Sequence, residues 1–323
     1  MILILSREDD EHVRFVIRGL KAQCARHIWL DPALFPVEIG IRICCDRKGK
    51  QCRTFHFKKR TLNLDEVTAV WMRRPGNPRP AEEITDPELR TWTQEECKNL
   101  LTGLWEGLDC LWVPGKPLAY TLGYNKGYHI GLAAKCGFRV PKTVFTNRPQ
   151  DFVSVYRETQ GCLVSKVMLN NYIPHEDSNS VAFTHAVRRR DAAHCHSIRY
   201  SPVILQEYVP KDVELRITVV GSRVFPAEIQ SQASHRTRHD WRHYDDERAT
   251  YAPHMLPEAV SNSCIRLVRA LGLCFGTIDM VLTPGGDYVF LEINPNGQWL
   301  WIESLTRLPI SAALIDLLTC GAA

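Results

Sequence analysis

Asp279, Glu292 and Asn294 are the residues whose types and spacing speak most directly of chemistry. They flank Pro284-Gly285-Gly286-Asp287, a cluster that reads as a hairpin turn between two β-rich runs. A turn centred between Gly285 and Gly286 sets Asp279 opposite Glu292. Strand alternation then gathers Ile278, Met280, Leu282, Val289, Leu291 and Ile293 on one apolar core face. The other face carries Asp279, Glu292 and Asn294 together. Three oxygen ligands in one cross-strand neighbourhood suit Mg²⁺, a hard ion that takes a few protein oxygens and completes its shell with water and phosphate. A solvated hairpin edge would also display carboxylates, but Asn294-Pro295-Asn296-Gly297 is an odd way to end one.

Other polar groups admit more than one reading. Lys166 lies in the strand-like run Leu163 to Met168, where a lysine either snorkels to water or meets an anion. Arg73-Arg74 ends the strand-like run Val67 to Met72, at the strand end where open α/β sheets place ligands, so a binding role and a solvated terminus stand equally open. His194 and His196 alternate in a loop with no second cluster, which argues against a metal site. His235, His239 and His243 would align on a helix, but Arg236, Arg238 and Arg242 beside them favour an anion-facing segment.

These groups need a scaffold, and 323 residues exceed what one hydrophobic core usually supports. Hydrophobic content of 45% and charged content of 24% are those of a soluble globular chain. Forty basic against 36 acidic residues leave +4, too mild to argue for nucleic acid. Twelve scattered cysteines without a CxxC pair fit reduced thiols of a cytoplasmic protein. No apolar run is long enough for a membrane span, and Met1 to Leu5 runs straight into charged residues, unlike a signal peptide.

In chain order, a strand at Ile2 to Leu5 precedes a helix with Val13, Ile17, Leu20 and Cys24 on one stripe. A hairpin follows, from alternating Val37, Ile39, Ile41 and Ile43 into Cys52 to Phe57. Then come the strand ending at Arg73, a helix from about Thr91 to Leu108, and a closing strand at Leu111. Asn125-Lys126 opens a helix that stops at Gly137. Residues 170 to 200 read as a polar, mobile loop with a short helix. Glu214 to Val220 pairs through Gly221-Ser222 with Arg223 to Ile229, and a last helix, Pro257 to Leu271, buries Val260, Cys264, Leu267 and Leu271. The class is α/β (α+β).

The order of lysine, lysine, Gln206-Glu207-x-Val209, Glu214, Arg216, then Asp279 and Glu292-x-Asn294 resembles the ATP-grasp superfamily. The likeness implies an ATP-grasp fold with an N-terminal Rossmann-like pre-ATP-grasp domain at 1–117. A central subdomain at 118–209 and a C-terminal subdomain at 210–323 follow. By that resemblance Lys126 and Lys166 hold ATP phosphates. The segment Gln206, Glu207, Tyr208, Val209 reads adenine, Glu214 takes the ribose hydroxyls, and Asp279, Glu292 and Asn294 carry two Mg²⁺ ions. No glycine-rich P-loop is present, so phosphate grip has to come from separate elements.

Within the superfamily the chain is most similar to the maturases of microviridin-type peptides, the graspetide ligases. The phrases that carry this are Ala69 to Pro75, Gln206 to Lys211, Glu214 to Gly221, Asp240-Trp241-Arg242 and Phe290 to Trp299. The resemblance implies a precursor peptide as partner, with a leader and a core bearing Asp/Glu and Ser/Thr/Lys. ATP would activate a side-chain carboxylate as an acyl phosphate, and a hydroxyl or amine of the same peptide would close a lactone or lactam. Arg216 and Arg242 then suit the acyl phosphate, because guanidinium binds phosphate oxygens two at a time. Alternatively, Arg216 is a strand arginine paired with Glu228. The run Arg188-Arg189-Arg190 is expected to meet an acidic part of the precursor. A homodimer is left open. Ribosomal-protein glutamate ligases are a second likeness through Glu214-Leu215-Arg216, and a small-molecule amino-acid ligase is the alternative function. A nucleotide-gated binding module without chemistry fits poorly with the intact acids and lysines.

Overall fold

The computed structural model describes residues 1–57, 60–168, 184–230 and 250–321 with their side chains, and the backbone of Tyr172–Pro174 and Asn179–Val181. Strand β1 (Ile2–Ser6) leads to helix α1 (Glu11–Ala22), whose Asp10 cap accepts a hydrogen bond from Val13 N at 3.1 Å. Val13, Val16 and Leu20 form the buried stripe, while Cys24 lies beyond the helix with φ 54 and is exposed. The expected stripe is therefore corrected at that residue: the helix ends too early for Cys24 to share its face. Strand β2 (His27–Leu30) is followed by an antiparallel sheet of β3 (Gly40–Cys45), β4 (Gln51–Phe57) and β5 (Arg60–Asn63). Strand β6 (Ala69–Arg74), helix α2 (Pro87–Glu106) and β7 (Leu111–Val113) complete this part. Helix α2 starts a turn before the expected Thr91, because Asp86 caps it and Pro87 pre-sets its first residue.

The parallel sheet has the order β2-β1-β6-β7. Its alternation divides the apolar residues cleanly. Leu3, Leu5, Val70, Met72 and Trp112 pack with Leu101, Leu104, Trp105 and Phe55, from α2 and β4. Ile2, Ile4, Trp71 and Val113 pack instead with Val13, Val16 and Leu20 of α1 and with Ile310, Leu314 and Leu318 near the C-terminus.

The next elements are α3 (Pro117–Gly123), α4 (Lys126–Lys135), β8 (Thr143–Thr146), α5 (Pro149–Glu158) and β9 (Leu163–Lys166). Residues 170–200 were expected as a loop with a short helix. They contain a small antiparallel pair, β10 (Tyr172–Pro174) and β11 (Asn179–Val181), then β12 (His185–Ala186) and a 3₁₀ run Arg189–Tyr200. With β13 (Val203–Glu207) the central sheet has the antiparallel order β12-β9-β13-β8.

Strands β14 (Val213–Val220) and β15 (Arg223–Ile229) pair in the expected register and join β16 (Tyr251–Pro253). Helix α6 (Glu258–Ala270) precedes β17 (Phe275–Leu282) and β18 (Tyr288–Asn294), and the five-stranded order is β16-β15-β14-β17-β18. Helix α6 is not the last one. Helices α7 (Leu300–Thr306) and α8 (Ile310–Cys320) follow. Helix α8 is mostly apolar and packs against α1, α7, β6 and β14, leaving Ala312, Thr319 and Cys320 exposed. Among the described residues no helix is long and apolar enough to cross a membrane.

The β17–β18 hairpin departs from simple folding about its turn. Near the turn Leu282 pairs with Tyr288, Val281 with Val289 and Met280 with Phe290. The register then shifts, and Asp279 faces Glu292, Ile278 faces Ile293 and Thr277 faces Asn294. Leu291 is the extra residue of this β-bulge. The core face is therefore Ile278, Met280, Phe290 and Ile293, with Leu282 partly buried against it. Val289 and Leu291 are not on it. The turn is centred on Gly285, with Gly286 at φ 84, and the bulge restores the expected pairing where it matters.

Candidate active site

One face of the five-stranded sheet collects charge. Arg216 lies directly opposite Asp279 across β14 and β17, and Asp279 lies opposite Glu292 across the hairpin. Arg216 is buried, and its Nη1 donates to both carboxylate oxygens of Asp279, at 2.8 Å and 3.0 Å. The expected alternative, a pair with Glu228, is corrected. Leu215 is the register partner of Glu228, so the glutamate points to the opposite face and meets His254 Nδ1 at 2.9 Å. Asn294 Nδ2 donates to Asp279 Oδ2 at 3.4 Å.

Helix α4 supplies the second cation. Asn125 caps it by accepting from Tyr128 N at 3.0 Å, which places Lys126 in the first turn facing β18. Lys126 Nζ lies 3.2 Å from Glu292 Oε2 and donates to the Val167 carbonyl at 3.1 Å. Lys126 thereby joins helix α4, the end of β9 and the hairpin. Lys166 is the last residue of β9 and half-buried. Its charge, with those of Glu292 and Lys126, is felt at the imidazole of His129, whose pKa burial pushes down.

Glu214 stands two residues before Arg216 on the same strand face and pairs with Lys211 Nζ at 2.8 Å, both side chains nearly buried. Gln206 is buried and donates through Nε2 to Thr143 Oγ1 at 2.9 Å, so its side chain braces β13 against β8. Beyond it, Glu207 N donates to the Lys142 carbonyl and Tyr208 N to that of Cys162, each at 2.9 Å. Glu207, Tyr208 and Val209 are all half-buried. Arg242, His235, His239 and His243 lie outside the described residues.

Sequence reasoning missed the anchor beneath this face. Arg73 is neither a solvated terminus nor an exposed binder; it is wholly buried. Its Nη1 donates to the Asn296 carbonyl at 2.5 Å and to Asn296 Oδ1 at 2.8 Å, and its guanidinium lies over the Trp299 ring at 5.1 Å. Asn296 Nδ2 in turn donates to the Met72 carbonyl at 3.3 Å. Burial pushes the Arg73 pKa down to about 10, against the opposing pull of Asp10. The signal was present in both places, an arginine pair at a strand end and Asn294-Pro295-Asn296-Gly297, but nothing in the sequence links residues so far apart. Arg74, the exposed member of the pair, lies 3.9 Å from Asp10.

The donor set fits a hard divalent ion. Asp279, Glu292 and Asn294 offer oxygens only, and the cations of Arg216 and Lys126 already lie against the two carboxylates. No group of three or more His, Cys, Asp and Glu forms a metal cluster among the described residues. The two carboxylates and the amide therefore make an open, partial shell of the kind Mg²⁺ shares with phosphate oxygens.

A family model described as the MvdD pre-ATP grasp domain matches residues 1–116. The macrocyclase MdnC of Microcystis aeruginosa MRC, bound with precursor peptide MdnA, is 28% identical, covers 100% of both chains and superposes with a TM-score of 0.87. Over its whole length the chain is similar to graspetide-type ATP-grasp ligases. A second relative is a RiPP-associated ATP-grasp ligase of Chryseobacterium gregarium in complex with ADP and a leader and core peptide. It is 28% identical over 100% of this chain and 97% of its own, with a TM-score of 0.90. The ATP-grasp ligase PsnB, complexed with minimal precursor, Mg and ADP, is 20% identical over 100% and 97% with a TM-score of 0.78, a likeness of fold. No curated protein matches the chain. The fold is the expected ATP-grasp architecture, and the Chryseobacterium relative of that fold holds ADP.

Proposed function

We propose that this chain is a graspetide ligase, which uses ATP to activate Asp or Glu side chains of a ribosomally made precursor peptide and closes them onto hydroxyl or amine groups of the same peptide. The observation that carries the reading is the convergence of Lys126, Arg216, Asp279, Glu292 and Asn294 on one sheet face. Relatives of equal length that hold a precursor peptide favour a peptide acceptor over a small molecule. Residues 1–117 would serve as the pre-ATP-grasp domain, 118–209 and 210–323 as the two halves that close on nucleotide, in the cytoplasm where ATP and the new precursor meet.

The hinge Gln206 to Val209 would receive adenine through its backbone, and Glu214 the ribose hydroxyls, with Lys211 holding the carboxylate in place. Lys126 and Lys166 would bind phosphate oxygens. Mg²⁺, held by Asp279, Glu292 and Asn294 as two ions, would supply electrophilic polarisation of the terminal phosphate when bound. A peptide carboxylate attacks the γ-phosphorus in line, the bond to the β-γ bridging oxygen breaks, and ADP leaves. The acyl phosphate keeps its charge against Arg216, which is already directed at this face by Asp279. A Ser or Thr hydroxyl, or a Lys amine, then adds to the carbonyl, loses its proton and expels phosphate. Arg242 would share this last role.

The test is Glu292→Gln combined with Asn294→Ala, with ADP release and loss of water from the precursor read by mass spectrometry. Removing one transition-state donor typically costs about 10²–10³ in rate, and the double variant should lose at least as much while keeping its circular dichroism spectrum. Near-normal turnover would remove the assignment.

A further inference from the structure

The β-bulge decides which way Glu292 points. If the register at the turn continued unbroken, Leu291 would face Asp279 and Glu292 would enter the core. The bulge lets Phe290 keep the core position opposite Met280 set by the turn register while Glu292, two residues on, turns to the face of Asp279. Phe290 is wholly buried, and two rings contact it: Phe138 at 5.5 Å and His129, edge-on, at 5.7 Å. Its N–H donates to the Arg139 carbonyl at 2.9 Å, and Arg139 bridges to Val289.

His129 is the unusual member of this clamp. It is 1% exposed, lies one turn after Lys126 on α4, and hydrogen-bonds through Nδ1 to the Gly123 carbonyl at 3.2 Å. That carbonyl accepts, so Nδ1 carries the proton and Nε2 holds the lone pair. Nε2 is buried without a hydrogen-bond partner among the described residues. An orphaned buried nitrogen of this kind costs about 1–3 kcal/mol, which a leucine in the same place would not. Packing alone therefore does not explain a histidine here. The Gly123 bond does: Gly123 ends α3, two residues before the Asn125 cap, and a Cβ on it would lie 2.5 Å from Pro295 Cγ. One ring thus ties the start of the lysine-bearing helix to the bulged strand.

We propose that His129 is a positioning residue that clamps Phe290, holds the bulge, and so keeps Glu292 on the face of Asp279 within reach of Lys126. This rests on the reading that Glu292 binds the metal. The experiment measures Mn²⁺ binding to the ADP-loaded full-length protein by electron paramagnetic resonance, alongside melting temperature. The variants are His129→Leu, Glu292→Gln and Val268→Ala, the last altering a buried residue beneath the same sheet. His129→Leu should weaken Mn²⁺ binding by about 10-fold or more, as loss of an orienting partner of a ligand does. Val268→Ala should lower the melting temperature and leave Mn²⁺ affinity unchanged.

If Glu292→Gln weakens Mn²⁺ binding and His129→Leu stays within about twofold of wild type, the clamp is overturned while the metal reading stands. If Glu292→Gln changes nothing, the metal reading falls and the clamp with it. Equal weakening by Val268→Ala would make the effect one of general stability and also overturn the proposal. Should His129→Leu fail to fold, His129→Asn keeps a donor for Gly123, lacks the ring, and carries the same expectation.

Discussion

Gly297→Ala probes the contact on which the active face rests. A Cβ at Gly297 would lie 2.3 Å from Thr277 Oγ1, 2.4 Å from Thr277 Cβ and 3.0 Å from Arg216 Nη2. Thr277 is wholly buried and sits between Thr218 and Asn294 in the sheet, so it has little room to yield. The loop must move instead. Overpacking of this sort costs about 1–3 kcal/mol, part of it spent on the Arg73–Asn296 hydrogen bonds that hold the loop to the N-terminal sheet. The same shift moves the Gln298 carbonyl, which accepts from Arg216 Nη2 at 3.4 Å, and disturbs the guanidinium on Asp279. Urea unfolding should show a stability loss of about 1–3 kcal/mol. ADP formation should fall by about tenfold or more, since 1.4 kcal/mol of misplacement suffices for that. Gly285→Ala is the control: its nearest contact would be 3.7 Å, at Thr283 Oγ1, and it should be neutral. Wild-type stability and turnover in Gly297→Ala would refute the reasoning.

Three further outcomes are expected. Burial, with Arg73 and Arg74 beside it, pushes the His12 pKa from 6.5 down to about 3. The folded chain therefore binds fewer protons between those values, and this contribution to stability is full above about 6.5 and is lost as pH falls towards about 3. Relative to His12→Gln, the wild type should lose about 2 kcal/mol between pH 7 and pH 5; parallel pH profiles in urea unfolding would contradict it. Lys166→Met should weaken ATP binding in calorimetry, whereas Lys48→Met on the exposed β3–β4 connection should not; identical affinities would remove Lys166 from the phosphate site. Arg188, Arg189 and Arg190 are all exposed, and changing all three to Ala should raise the apparent KM for precursor in a salt-sensitive way without touching ATP affinity. Equal peptide affinity at low salt would sink that role.

Much of the local structure was legible because it follows from short-range rules. The Gly221-Ser222 turn set the strands β14 and β15 in register, Asn125 announced the start of α4, and the charged residues of the hairpin sorted onto one face. Asp279 and Glu292 were paired correctly from a turn placed half a step off, because the bulge at Leu291 cancels the error. A bulge is invisible to period-two reasoning, and the rings that contact Phe290 beside it, His129 and Phe138, come from outside the hairpin. Helix α8 shows the same limit. Its apolar run carries no strong stripe to give its partners away, and only folding brings it against α1 and the first sheet. Arg73 is the sharpest case. Its type and position at a strand end suggested a ligand, yet its ligand is the protein's own Asn296, reached across the whole chain. Chemistry carried by neighbours in sequence could be read directly; chemistry set by which surfaces exclude water together required the tertiary structure.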